Sequence, residues 1–147
     1  MFKMWIEICV LLVCICGSVY DIRTRKIPYI ILVSILGLSI LEYITCNAEN
    51  ESFIEVVFAI VPGAILCALS WICKGRIGLG DGLAVISIGI GIGIYKCIAM
   101  LMIALFLNAF VAGILLAFKK VPRDYEIPFL PFISIGYLIS MFGEKII

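Results

Sequence analysis

Ile77-Gly78-Leu79-Gly80-Asp81-Gly82-Leu83-Ala84-Val85-Ile86-Ser87-Ile88-Gly89-Ile90-Gly91-Ile92-Gly93-Ile94 places an aspartate at the mouth of a long apolar run. Its alternating positions from 87 to 93 are serine and glycine rather than charged residues, and it lacks the polar face of a soluble amphipathic helix, so its pattern is that of a helix solvated by lipid. The rest of the chain is similar. Of 147 residues, 65% are hydrophobic and 14% charged, more apolar surface than a soluble domain of this length can bury. A bilayer core takes roughly 20 apolar residues per helix. Six runs approach that length, at 4–20, 28–45, 53–73, 82–96, 97–118 and 127–142, with the fourth and fifth divided only faintly near Tyr95-Lys96. Outer-membrane barrel spacing is absent. The expectation is all-α: one polytopic membrane domain, residues 1–147, with six transmembrane helices, the first a retained helix rather than a cleaved signal.

Charge sets the expected orientation. Arg23, Arg25 and Lys26 follow the first run, Lys74 and Arg76 the third, and Lys119, Lys120 and Arg123 the fifth. The excess of basic residues in these segments puts them in the cytoplasm and both termini outside. Asp21, closing the first run, and Asp81, opening the fourth, then share the cytoplasmic side. An acidic side chain at a membrane boundary is a functional candidate by default.

The rest of the composition narrows the chemistry. Histidine is absent, which removes Ser-His and Cys-His catalysis and the His-Glu-x-x-His zinc site. The seven cysteines contain no Cys-x-x-Cys pair, so no metal site is expected and they read as small apolar residues. Neither a cofactor nor a nucleic-acid partner is indicated. Two carboxylates in contact share a proton, so one can activate water while the other protonates the carbonyl oxygen or the leaving amine. For Asp21 the plain alternative is an interfacial ion pair with Arg23 or Arg25. For Asp81 it is a glycine-rich turn that starts a helix. Gly78, Gly80 and Gly82 are expected to leave the backbone beside Asp81 open for an extended substrate chain. Gly89, Gly91 and Gly93 suit close helix packing. Pro128 and Pro131 set the entry of the last helix and are candidates to line the cleft. Asp124 and Glu126 are either solvated or attract a basic substrate segment.

Three segments in order resemble the A24 family of aspartyl membrane peptidases, the type IV prepilin and preflagellin peptidases. They are Asp21…Arg25-Lys26-Ile27-Pro28, Gly78-Leu79-Gly80-Asp81 and Ile127-Pro128-Phe129-Leu130-Pro131-Phe132. The resemblance implies that Asp21 and Asp81 are the catalytic pair. It also implies that prepilin-like precursors are cut at the cytoplasmic face of a prokaryotic plasma membrane, between a basic leader and an apolar helix. This chain has Tyr29 where many members have asparagine, and Leu83 where many have lysine. It lacks the Cys-x-x-Cys region that larger members associate with N-methylation, so it resembles a peptidase-only form. The aspartate motifs are also similar to those of presenilins, but the Pro-Ala-Leu tripeptide of that group is missing. A non-catalytic assembly subunit and a small proton-coupled transporter are the alternative readings of the same aspartates.

Overall fold

The computed structural model describes residues 2–24, 27–47, 53–72, 78–118 and 127–143. Those residues form helices α1 (Phe2–Thr24), α2 (Tyr29–Glu42), α3 (Phe53–Ile72), α4 (Leu79–Ala117) and α5 (Leu130–Gly143), with a π-helical turn at Tyr43–Asn47 continuing α2. The all-helical expectation holds. Three helices, Lys3–Thr24, Ile54–Ile72 and Leu79–Ala117, are each long and apolar enough to cross a membrane, and Tyr29–Thr45 and Leu130–Gly143 are shorter apolar helices. The acidic segment 47–51 is described only at Asn47, and of the three basic clusters only Arg23 is described. Asp124 and Glu126 also lie outside the described residues.

The expected break at Tyr95-Lys96 lies two residues earlier, and it is a reversal rather than a loop. Gly93 adopts φ 78, ψ 170 within α4, a backbone state essentially confined to glycine. A Cβ built on Gly89 would lie 3.1 Å from Cys97 Sγ, yet eight residues of straight helix separate their Cα atoms by about 12 Å. The two arms of α4, residues 79–92 and 94–117, therefore fold back on each other about Gly93. Tyr95 and Lys96 lie in the second arm.

The first arm is the hub of the fold. Asp81, Gly82, Ala84, Val85, Ser87, Ile88, Gly89, Gly91, Ile92 and Gly93 are all buried, leaving only a narrow outward stripe through exposed Leu79 and Leu83. Helix α3 runs antiparallel to it, with Gly63 beside Ile86, Cys67 beside Gly82, and Ala59 beside Gly89. Helix α2 runs parallel to it, with Ile27 beside Gly80 and Ser39 beside Gly91. These contacts bring backbones together at small residues, the usual device where lipid gives no hydrophobic drive to helix association. Gly82 and Gly63 show how close the approach is. A Cβ on Gly82 would sit 2.5 Å from Cys67 Sγ, and one on Gly63 would sit 2.7 Å from the Gly82 carbonyl oxygen.

Helix α1 packs on α2 and α5, and α4 packs on α3, α2 and α5. Helices α1 and α5 are antiparallel, tied by Asp21 to Leu130, Ser18 to Ser134 and Tyr137 to Glu7. These pairings collect the end of α1 and the starts of α2, α4 and α5 at one end of the bundle. Tyr29, Trp71 and Phe118 are exposed at that end, and Trp5 and Tyr95 at the other. Exposed aromatics at both ends match the aromatic belts of membrane–water interfaces. From Trp5 to Asp21 the helix rises about 24 Å, close to a bilayer's hydrocarbon thickness.

Candidate active site

Asp21 is the last member of an inward stripe on α1. Ile6, Glu7, Val10, Cys14, Gly17, Ser18 and Asp21 are buried while Val19, Tyr20, Ile22 and Arg23 are exposed. Spacings of three and four keep the stripe on one helix face, and Asp21 lies on the face that meets α5. The Leu130 backbone N–H donates to Asp21 Oδ2 at 3.4 Å. That donor belongs to the first residue of α5, one of the N–H groups a helix start leaves without an internal partner. A carboxylate there is favoured by the partial positive charge of the helix N-terminus.

Asp81 occupies the first turn of α4. Gly78 is its N-cap in an extended conformation, φ −64, ψ 124, and the Asp81 N–H donates to the Gly78 carbonyl at 3.1 Å. Asp81 is 9% exposed and Asp21 5%, so both carboxylates are withdrawn from the surface. Asp21 is near enough for its charge to bear on Asp81. Their helices, α1 and α4, each pack on α2 and α5.

The three glycines beside Asp81 have three separate uses. A Cβ on Gly78 would stand 2.9 Å from Asp81 Oδ2, so the bare residue leaves room for the carboxylate to fold back over the cap. Gly80 accepts Ile27, whose Cδ1 would be 3.2 Å from an added Cβ. Gly82 is buried against α3. The open, extended backbone expected across all three is found only at Gly78; from Leu79 onward the chain is helical.

Pro28 caps α2 with φ −66, ψ 136. Pro128 lies in the lead-in to α5, and Pro131 is the second residue of that helix, where a missing N–H interrupts no helical bond. Phe132 and Ile133 donate to the Phe129 carbonyl at 3.0 and 3.2 Å, which starts the helix so that Leu130 meets Asp21. Leu83, at the position where lysine was expected by resemblance, is exposed.

The three sequence segments thus converge in space. Ile27 of the first rests on Gly80 of the second, and Leu130 of the third touches both Gly17 and Asp21 on α1. Among the described residues, no group of three or more histidine, cysteine, aspartate or glutamate side chains is placed to hold a metal ion.

Two further buried acids went unnoticed in the sequence. Glu7 lies on the same inward stripe as Asp21, and Glu42 ends α2, 1% exposed. Tyr137 is within electrostatic reach of both, and its hydroxyl donates to the Glu7 carbonyl at 3.4 Å. A Cβ on Gly91 would lie 2.8 Å from Glu42 Oε2. The available signal was position: both glutamates fall inside apolar runs, where the burden of explanation that applies to Asp21 applies equally.

Fold and site together define a polytopic helical protein of membrane character with two buried aspartates at one end. Residues 8–118 match the model of the type IV leader peptidase family. The chain belongs to that family, and is accordingly a peptidase of the membrane. The match spans both aspartates and stops short of α5, so the Leu130 contact with Asp21 comes from outside the matched residues. No curated protein and no solved structure matches the chain.

Proposed function

We propose that the protein is an aspartyl endopeptidase that removes the short basic leader from type IV prepilin-like precursors, with Asp21 and Asp81 as its catalytic pair. The reading is supported by two buried aspartates, from α1 and α4, at one end of a leader peptidase chain, with Asp21 near enough for its charge to bear on Asp81. In this mechanism the pair holds one proton between its carboxyl groups. The ionised member takes a proton from a water molecule as its oxygen attacks the scissile carbonyl carbon. The protonated member donates to the carbonyl oxygen. Collapse of the tetrahedral intermediate breaks the C–N bond, and the proton taken from water passes to the departing amine. Gly78, Gly80 and Gly82 support Asp81 by admitting its carboxylate, Ile27 and α3 respectively, while Pro128 and Pro131 shape the start of α5 against Asp21.

In this reading the two arms of α4 are separate crossings, six in all with both termini outside. That topology sets the aspartates at the cytoplasmic face of a prokaryotic plasma membrane, at the depth where a leader meets the apolar helix of its precursor. Lipid and the precursor are the partners, and neither metal nor cofactor enters the chemistry. Incubating the purified protein with a precursor of basic leader, glycine and apolar helix tests the reading. Wild type should release the leader, and Asp21→Asn and Asp81→Asn should each reduce release by at least about a thousandfold. Retained cleavage by both single variants excludes the pair.

A further inference from the structure

Ser18 and Ser134 face each other across α1 and α5, one helical turn from the contact between Asp21 and Leu130. Their hydroxyl oxygens are 2.7 Å apart. Ser18 Oγ also lies 2.7 Å from the Cys14 carbonyl oxygen, and Ser134 Oγ 3.0 Å from the Leu130 carbonyl oxygen. Two hydroxyl protons thus serve three contacts. Whichever carbonyl accepts one proton, the other proton bridges the two serines, so the link between helices persists in both arrangements. Both residues are buried, at 7% and 6% exposure, where no bulk water competes for the bond.

Leu130 is held on every side by this arrangement. Its N–H donates to Asp21, its carbonyl accepts from Ser134 in one arrangement, and its side chain fills the notch at Gly17, where a Cβ would stand 2.8 Å from Leu130 Cδ2. Asp21, Leu130, Ser134 and Ser18 therefore close a ring through the two helix backbones. Register matters here, because a shift of α5 along α1 by a fraction of a turn takes the Leu130 N–H out of reach of Asp21. At 3.4 Å that bond has little length to spare.

We propose that Ser18 and Ser134 are positioning residues that fix the Asp21 carboxylate toward Asp81 by locking the start of α5 in register. The proposal rests on the peptidase reading of Asp21. Neither serine touches the scissile bond, so loss of the clasp leaves substrate capture intact and misplaces the base or acid. A displacement of about 1 Å at a reacting group can lower turnover by about a hundredfold.

The test uses the full chain in detergent or nanodiscs, with Ser18→Ala, Ser134→Ala, the double alanine variant and Ser134→Thr. Each single alanine is expected to lower kcat about tenfold or more with KM nearly unchanged. The double variant should be no slower than the worse single one, because both remove the same bond. Ser134→Thr, which keeps a hydroxyl, should recover most of the loss. Amide hydrogen exchange at Leu130 supplies a reading independent of cleavage: it should speed up about tenfold or more in Ser134→Ala and return toward wild type in Ser134→Thr. Unchanged kcat in a folded Ser134→Ala variant, or a threonine variant as slow as the alanine one, overturns the proposal. Wild type that cleaves nothing overturns the peptidase reading and the catalytic half of the proposal, while Leu130 exchange still decides whether the serines seat α5.

Discussion

Cys97 Sγ lies 3.8 Å from the Ala59 carbonyl oxygen, the same carbonyl that crowds Gly89. Residues on either side of Gly93 therefore meet one point on α3, which only a reversed chain allows. The turn needs almost no connecting loop, because Gly93 absorbs the change of direction in a single residue.

Gly93→Ala should thus be disruptive in a way that Gly113→Ala is not. At Gly93 the new Cβ meets a backbone conformation that costs about 1–3 kcal/mol for a non-glycine residue. At Gly113 nothing lies within 4 Å, and alanine in a helix is favoured over glycine by roughly 0.5–1 kcal/mol. Thermal unfolding in mild detergent should show a lower midpoint for the first variant and an equal or higher one for the second.

The α3–α4 seam should resist enlargement for a different reason. Gly82→Val pushes side-chain carbons into Cys67 and Gly63, where the space for even one Cβ is missing. Overpacking of this kind typically costs about 1–3 kcal/mol, and here it also displaces the helix that starts at Asp81. Loss of cleavage should accompany loss of stability, whereas Gly37→Ala, in open space on α2, should change neither.

How far the sequence disclosed this structure can be judged from these glycines. Continuous apolar runs and the charges between them made the helices and the shared end of Asp21 and Asp81 legible, since both depend on local composition and on counting reversals. The turn at Gly93 was not. Gly89, Gly91 and Gly93 look alike in an alternating Gly-Ile string, and only their neighbours distinguish them: Ala59 for the first, Ser39 and Glu42 for the second. Gly82 was read as open backbone for the same reason, because a missing side chain does not announce whether substrate or another helix fills the space. The proline-aromatic segment was noticed, but its role in delivering the Leu130 N–H to Asp21 depends on a contact across 109 residues. Ser18 and Ser134, 116 residues apart, carry no motif at all.

The proposed mechanism, in which Asp21 and Asp81 act as one acid and one base, implies a bell-shaped dependence of cleavage on pH. On the acid side both carboxyls are protonated and no base remains to activate water, so the rate should rise with pH. On the alkaline side both are ionised and no acid remains for the carbonyl oxygen, so the rate should fall. Initial rates across a pH series, with wild-type unfolding checked at each pH, distinguish this from a single-sided curve, which would indicate that one carboxylate works alone.

The proposed six crossings make a specific prediction for labelling from the two faces of the membrane. Starting from a variant whose native cysteines are replaced, Glu49→Cys should react with an impermeant maleimide in intact cells. Lys74→Cys should react only after the membrane is opened. The informative position is Phe118. If α4 crossed once as a straight 39-residue helix, its end would lie about 55 Å from Asp81, outside the membrane, and Phe118→Cys would label in intact cells. With the chain reversed at Gly93, exposed Phe118 returns to the side of Asp81, and Phe118→Cys should react only after the membrane is opened, like Lys74→Cys. Labelling of Phe118→Cys in intact cells with protection of Lys74→Cys would contradict the hairpin crossing.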